Sequence, residues 1–308
     1  MHRICIAPLL LAVLMALSSP AAAACAPADI TSITTTSAAL APYNPFTSFS
    51  PRIVTVSVVA AKACAIELAF LSPTAPAQMS GAGTLAYDVQ ATIGGASLLF
   101  QGGSPINTAH IDVPGGATAG TANVQIVVPA AQIVANGLYA DAGLTLQAFD
   151  KTGVIYSLLK STSLSVTGSV AKVCQFTLPQ SPTLNFSSAI SNGMANSAVV
   201  QSVTFNGVSC TAPTVVQLGG GPMQSPDAPS AAAGLDNFIN YRATATFSSA
   251  TTTLDTSAQT LSTSAGQSTA GGATTDGVLT VNVNLLTGRL LQAGRYQTTL
   301  TVTIDPTL

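Results

Sequence analysis

The stretch "VQIVVPAAQIVANGLY", residues 124–139, has a second copy in the same chain. The copy is "VNVNLLTGRLLQAGRY", residues 281–296, which aligns to it without a gap. Each ends on a Tyr that follows a Gly by two residues. After each Tyr the chain alternates apolar and polar residues, as "ADAGLTLQAFDKTG" (140–153) and as "QTTLTVTIDPTL" (297–308). Period-two alternation is the pattern of a half-buried strand.

Other landmarks repeat in the same order. Cys25 and Cys64 lie 39 residues apart, and Cys174 and Cys210 lie 36 apart. Each pair is followed by a strand-like segment with the pattern Tyr-x-x-x-Ala-Thr: "LAYDVQATIGG" with Tyr87 and "INYRATATFSS" with Tyr241. From Cys25 to Cys174, Cys64 to Cys210, Tyr87 to Tyr241 and Tyr139 to Tyr296 the offset stays between 146 and 157. Four landmarks at a near-constant offset read as two copies of one domain of about 140 residues. Of the three connectivities open to four cysteines, the repeat favours Cys25–Cys64 and Cys174–Cys210.

Each copy is expected to be all-β. "RIVTVSVVA" (52–60), "ANVQIVVP" (122–129), "LTLQAF" (144–149), "SVTFNGVSC" (202–210), "LTVNVNLL" (279–286) and "TLTVTI" (299–304) alternate or are rich in β-branched residues. Gly, Pro, Ser and Asn clusters separate them. "PAAQIVANG" is short and bounded by Pro129 and Gly137, which allows a turn of helix at most. The expected architecture is two tandem β-sandwiches, at 25–160 and 161–308.

The first 24 residues read as a secretory signal peptide. Arg3 opens it, Ile4 to Leu17 is a mostly apolar run, and "SSPAAAA" offers small residues at Ala22 and Ala24. Of the five cysteines Cys5 would leave with this leader, and export suits the remaining four paired as disulfides. A lipobox usually has Leu where Ala22 stands, so Cys25 is read as a disulfide partner rather than a lipid anchor. No later segment has 18 uninterrupted apolar residues, as a membrane helix would need.

Charged residues make up only 6% of the chain, and the few Lys and Arg are dispersed. That argues against nucleic-acid binding, which needs a basic cluster. For chemistry the sequence offers little. His110 is the one His beyond the leader, with Asp112 two residues away, and Glu67 is the one Glu. No nucleophile, metal-ligand spacing or cofactor motif accompanies them. "GGG" (219–221) lacks the Lys-Ser/Thr of a phosphate loop. No catalytic residue, metal or cofactor is expected, and a secreted hydrolase is the least favoured reading.

"SLSVTGSVAKVCQFTL" (163–178), "SVTFNGVSC" ending on Cys210, the Tyr241 strand and "LLQAGRYQTTLTVTIDP" (290–306) together resemble the spore coat protein U domain family. That family includes subunits of archaic (Csu-type) chaperone–usher pili. The first half matches more loosely, with Tyr43-Asn44-Pro45 and with Asp141 where the family often has Asp; Thr298 stands at that place in the second half. The resemblance implies immunoglobulin-like sandwiches, the C-terminal one lacking its last strand. It implies a periplasmic pilus chaperone, an outer-membrane usher and an adjacent pilin subunit as partners. The neighbouring subunit would fill the gap by strand addition, in which main-chain hydrogen bonds give affinity and alternate side chains fill pockets. Tyr296, Leu300, Val302 and Ile304 would then line the acceptor edge.

Within that frame the chain is expected to accept a strand and not to donate one, because Cys25 stands at the expected mature N-terminus. Leu164, Val166 and Val170 alternate with polar residues and form the candidate internal closing strand for the first domain, with "VIYSLLK" (154–160) as the rival. One closed and one open domain is the logic of a tip adhesin, exported through the periplasm to the cell surface. Surface binding is expected at Leu98, Leu99 and Phe100 in "GGASLLFQGG", against the alternative of an ordinary buried strand. "YNPFTSF" (43–49) and "FLSPTAPAQM" (70–79) are second choices. The competing function is a stand-alone secreted or lipid-anchored coat protein of the same fold.

Overall fold

The computed structural model describes residues 24–306 apart from 153–154, 177–180, 228–229, 259, 264 and 267–272. The signal peptide read at 1–24 therefore lies outside the described residues except for Ala24. The fold is all-β: among the described residues there are two short 3-10 turns, Pro27–Asp29 and Ser187–Ala189, and no α-helix. "PAAQIVAN" (129–136) is loop, and Gly137 opens a strand.

The first sandwich is built from β1 (Ile30–Thr35), β2 (Arg52–Ala60), β3 (Cys64–Leu71), β4 (Ala77–Ser80), β5 (Thr84–Ala91), β6 (Ala109–Val113), β7 (Gly120–Val127), β8 (Gly137–Thr152) and β9 (Ile155–Val170). One layer runs β1-β2-β7-β5 and the other β6-β3-β8-β9, and β4 joins them by pairing with both β5 and β8. The alternation read in the sequence places Val54, Val56, Val58 and Ala60 of β2 inward, all fully buried. Residues between them face out. The same rule sends Leu144, Leu146 and Ala148 of β8 inward.

β9 closes this sandwich from within the chain. It pairs antiparallel with β8 from Thr152↔Ile155 to Gly137↔Val170. The two stretches weighed as rivals, 154–160 and 164–170, belong to this one strand from Ile155 on. Leu159, Leu164, Val166 and Val170 are buried in the first core. Full burial of such side chains contributes about 1.5–3 kcal/mol each. Lys160 Nζ donates to the carbonyls of Ile30 and Thr31 at 3.1 and 2.9 Å, capping the edge of β1 with a charge.

The expected boundary at 160/161 is corrected by this geometry, since it cuts β9 in half. The passage between cores is residues 171–173. Ala171 N–H donates to Tyr43 O at 2.9 Å. The buried Thr211 Oγ1 donates to Ala171 O at 2.6 Å and accepts from Val173 N–H at 2.9 Å. Asn136 N–H reaches Thr211 O at 2.6 Å, so the joint is tied from both sides.

The second sandwich repeats the pairing order. Its strands are β10 (Cys174–Phe176), β11 (Val200–Cys210), β12 (Thr214–Gly219), β13 (Tyr241–Phe247), β14 (Ala250–Asp255), β15 (Thr274–Leu285) and β16 (Thr301–Asp305). One layer runs β10-β11-β15-β13-β14, and β12 pairs with β16 in the other. Strand for strand, β10, β11, β15 and β13 match β1, β2, β7 and β5, and β12 and β16 match β3 and β8. Disulfides join Cys25 to Cys64 and Cys174 to Cys210, closing loops of 39 and 36 residues. Each is worth about 4 kcal/mol by the chain-entropy estimate. Both halves also carry a tyrosine corner, as immunoglobulin-like sandwiches do. Tyr139 OH donates to Ala135 O and Tyr296 OH to Gln292 O, both at 2.6 Å and both four residues back.

The closing strand is open to a direct stability test. Val166→Ala should cost about 2 kcal/mol in urea unfolding, the price of deleting buried methyl groups. Thr167→Ala, one residue on and facing out, should change stability by less than about 0.5 kcal/mol. Equal effects at the two positions would contradict the inward placement of Val166.

Candidate functional site

One difference between the two sandwiches lies on the far side of the final strand. β8 is flanked by β3 on one side and β9 on the other. β16 is flanked by β12 on one side. Among the described residues no strand pairs with its other side. An edge of unpaired N–H and C=O groups is a template for another strand.

The core beneath that edge is correspondingly open. Register equates Val302 and Ile304 of β16 with Leu146 and Ala148 of β8, and the alternation places Leu300, just before β16, with Leu144. The first-sandwich residues are fully buried, whereas their second-sandwich counterparts are half-buried. The opposite layer tells the same story. Val54 and Val56 pair with Val124 and Ala122; Val203 and Phe205 pair with Val281 and Leu279 at the corresponding rungs. Val54 and Val56 are fully buried, and Val203 and Phe205 are not. Phe176 of β10 and the corner residue Tyr296 are also only half-buried. An apolar slot therefore runs beside β16, lined by side chains the first sandwich keeps covered. Half-exposure of each costs on the order of 1 kcal/mol relative to full burial. Sequence reading named the β16 side of this slot. It missed Val203, Phe205 and Phe176, although their alternation was visible, because nothing in one strand says which layer faces it.

Leu98, Leu99 and Phe100 are not an exposed finger. Leu98 is 1% exposed and Phe100 8%. Leu99–Phe100 pairs parallel with Phe70–Leu71, and Leu98 N–H donates to Val89 O while Leu98 O accepts from Phe70 N–H. The stretch bridges the two layers: Leu98 joins the main core, and Phe100 joins Ala69 and Phe149 in a small satellite cluster. Three consecutive apolar residues are worth more buried than exposed. The flanking glycines serve the turns, with φ of 80° and 62° at Gly94 and Gly95 and of 134° and 74° at Gly102 and Gly103. In the second-choice stretches Tyr43, Phe70 and Met79 are likewise buried. Two exposed apolar residues are neighbours of the expected finger. Ile93 is 91% exposed and Ile106 92% exposed, each in a loop flanking it.

The structure gathers the few titratable groups that sequence order left apart. β3 and β6 pair Glu67 with His110. His110 Nδ1 lies 3.0 Å from Glu67 Oε1 and Nε2 3.0 Å from Asp112 Oδ1. Thr108 Oγ1 donates to Glu67 Oε2 at 2.6 Å. Both ring nitrogens are taken by carboxylates, which suits an imidazolium and leaves no lone pair for a metal or a nucleophile. The Glu67 hydrogen bond, followed by that of Asp112, raises the His110 pKa above its usual value against the opposing effect of burial. Among the described residues no group of three or more His, Cys, Asp or Glu is placed to hold a metal ion.

Neither a family model nor a curated protein sequence matches the chain. Among solved structures it is similar to the chaperone–tip subunit pre-assembly complex CsuC–CsuE of archaic Csu pili from Acinetobacter baumannii, with 13% identity and a TM-score of 0.40 over 88% of this chain and 100% of that one. It is also similar to CfaE, the adhesive subunit of CFA/I fimbria of enterotoxigenic Escherichia coli, with 9% identity and a TM-score of 0.34 over 88% and 93%. A third is the CupB6 tip adhesin from Pseudomonas aeruginosa, with 10% identity and a TM-score of 0.29 over 90% and 97%. At these values the likeness decides nothing by itself, and function must be argued from the chain's own geometry.

The His110 cluster has a pH signature whose sign follows from its raised folded-state pKa. Its contribution is fully present below the unfolded-state value and is lost as pH rises through the folded one. His110→Gln should therefore lower stability at pH 5 by up to about 1 kcal/mol, the range for exposed ion pairs. The difference should vanish at pH 9. A deficit that grows with pH would contradict the carboxylate–imidazolium arrangement.

Proposed function

We propose that this chain is an exported pilus adhesin, probed at its second sandwich by a partner strand and carrying its surface-binding groups on the first. The observation that carries the proposal is the contrast between β8 and β16. Two sandwiches with the same pairing order differ in that one final strand is covered by β9, and the other has a free edge over half-buried Leu300, Val302 and Ile304. A strand entering beside β16 gains a row of main-chain hydrogen bonds and covers that apolar row. The first sandwich supplies the pattern of such a donor: inward Leu164, Val166 and Val170 with polar residues between.

The partners follow from the same geometry. A free edge beside an apolar slot is an aggregation hazard until filled. It calls for a periplasmic chaperone before assembly, an usher for export and a neighbouring pilin subunit afterwards. A chain whose first sandwich is closed by its own strand takes one donor only, which fits the tip of a fibre. The resemblance in sequence to pilus subunits points the same way. A lipid-anchored coat protein is the weaker reading. The sulfur to which a lipid would attach at Cys25 is bonded to Cys64.

For surface binding the reading moves from Leu98, Leu99 and Phe100 to Ile93 and Ile106. Both side chains are more than 90% exposed, in the two loops that flank the buried stretch. They suit a hydrophobic surface rather than a charged one.

Joining the sequence of residues 153–170 after Leu308 should give a chain that is soluble without a chaperone. Its second sandwich should gain at least about 3 kcal/mol in urea unfolding, from apolar burial alone. No gain would contradict the acceptor reading. Separately, Ile93→Ser with Ile106→Ser should abolish attachment to a hydrophobic surface while changing stability by less than about 0.5 kcal/mol. Undiminished attachment would remove these residues from the binding site.

A further inference from the structure

A buried tyrosine is paired differently in the two sandwiches. In the first, Tyr87 of β5 is fully buried and its hydroxyl donates to Asp141 Oδ2 at 2.6 Å. Asp141 Oδ1 accepts from Gly143 N–H at 2.6 Å, across a bulge where β8 shifts register between Asp141 and Leu144. The carboxylate thus shapes the bulge and ties one layer to the other. In the second sandwich Tyr241 stands at the place of Tyr87, and Thr298 stands two residues past the corner Tyr, as Asp141 does. Tyr241 is 1% exposed and its hydroxyl has no hydrogen-bond partner. Thr298 faces out, and its Oγ1 donates to Gly221 O at 3.1 Å.

Two further observations bear on that orphan hydroxyl. The buried side-chain atoms without a partner among the described residues are Thr214 Oγ1, Ser225 Oγ, Tyr241 Oη and Thr274 Oγ1, and all belong to the second sandwich. Such groups are rare in settled cores. Next, residues 298–300 fall between two paired regions, the Gln224↔Gln297 bridge and the ladder that starts at Gly219↔Thr301. In the first sandwich the closing strand holds the residues just before this point, Leu138 to Asp141, the counterparts of 295–298, which pair with Ser169 to Val166; the next two, Ala142 and Gly143, form the bulge. A side-chain carbon built at Gly220 would lie 2.5 Å from the Tyr241 hydroxyl and 3.2 Å from Thr299 O. The unpaired donor and this carbonyl therefore border the same point.

We propose that Tyr241 is a positioning residue of the strand-acceptor site, whose hydroxyl finds its partner, the Thr299 carbonyl, only when a donor strand is in place. The inference rests on the acceptor reading above. Entry of the donor extends the ladder back over 295–298, as β9 does over Leu138–Asp141, and fixes the bulge that follows so that the Thr299 carbonyl turns onto Tyr241. The open state carries an unsatisfied buried donor, and the filled state does not. Occupancy is thereby favoured by a polar group as well as by apolar burial. Gly220 is required because any side chain there would fill the space in which the bond forms.

The test compares four full-length chains: Tyr241 or Tyr241→Phe, each with and without residues 153–170 joined after Leu308. The thermal midpoint of the second sandwich is read in each. In the open chain Phe should raise the midpoint by about 2–4 °C, because the orphan hydroxyl is gone. In the closed chain Phe should lower it by a similar amount, because a made bond is lost. Shifts of the same sign in both would overturn the proposal while leaving the acceptor reading intact. No rise on joining the strand in the Tyr241 chains would overturn both. A second measurement needs no variant at 241. NMR of tyrosine labelled at Cζ should find hydroxyl exchange at Tyr241 slowed by closure, and unchanged exchange would also overturn the proposal.

Discussion

The ladder between β8 and β9, from Thr152↔Ile155 to Gly137↔Val170, is the interaction on which the first sandwich depends. It is a hairpin, so its strands meet at little loop-closure cost. One face of β9 delivers Leu159, Leu164, Val166 and Val170 into the core, and the ladder saturates the outer edge of β8. With that edge filled, every inward residue of β2 and β8 is covered, and Asp141 can take the hydroxyl of Tyr87. Remove the strand in thought and what remains is close to the second sandwich: the same pairing order and tyrosine corner, a disulfide at the same place, and a row of apolar side chains half in water.

Two copies of one unit inside one chain make the comparison unusually well controlled. Pairing order, tyrosine corner and disulfide placement are shared, so a difference in burial between matched rungs reports a difference in architecture. That difference is confined to positions facing the slot. Val281, Val283 and Leu285 of β15, and Ala243, Ala245 and Phe247 of β13, are as buried as a closed core requires. The second sandwich is thus well packed away from the slot and open along it, a localised vacancy rather than general looseness. Residues Leu300, Val302 and Ile304 alternate with Thr301 and Thr303, so a single entering strand could cover one face without rearranging the rest.

Much of this was legible in the sequence, for physical reasons. Period-two alternation marks strands because burial of one face has that period, so "RIVTVSVVA" gave Arg52–Ala60 residue for residue. The repeat made the disulfide pairs readable. Other features were not legible. "GASLLFQ" has the composition of a mobile apolar loop, and only the tertiary fold reveals that it spans both layers. Glu67 and His110 lie 43 residues apart in sequence and meet because β3 and β6 are neighbours, which no local pattern encodes. The boundary at 160/161 failed because the closing strand belongs to the first core while its sequence pattern continues toward the second.

The account stands or falls on whether the free edge of β16 takes a strand. Amide hydrogen exchange on the full-length chain, with and without a peptide of residues 155–170, measures this at the edge itself. The alternate amides of Thr301–Asp305 that do not pair with Thr214–Gly219 should exchange quickly in the free chain and become protected with the peptide. The same peptide carrying Val166→Asp should leave them fast. Protection that is already present without peptide, or that never develops with it, would contradict the account.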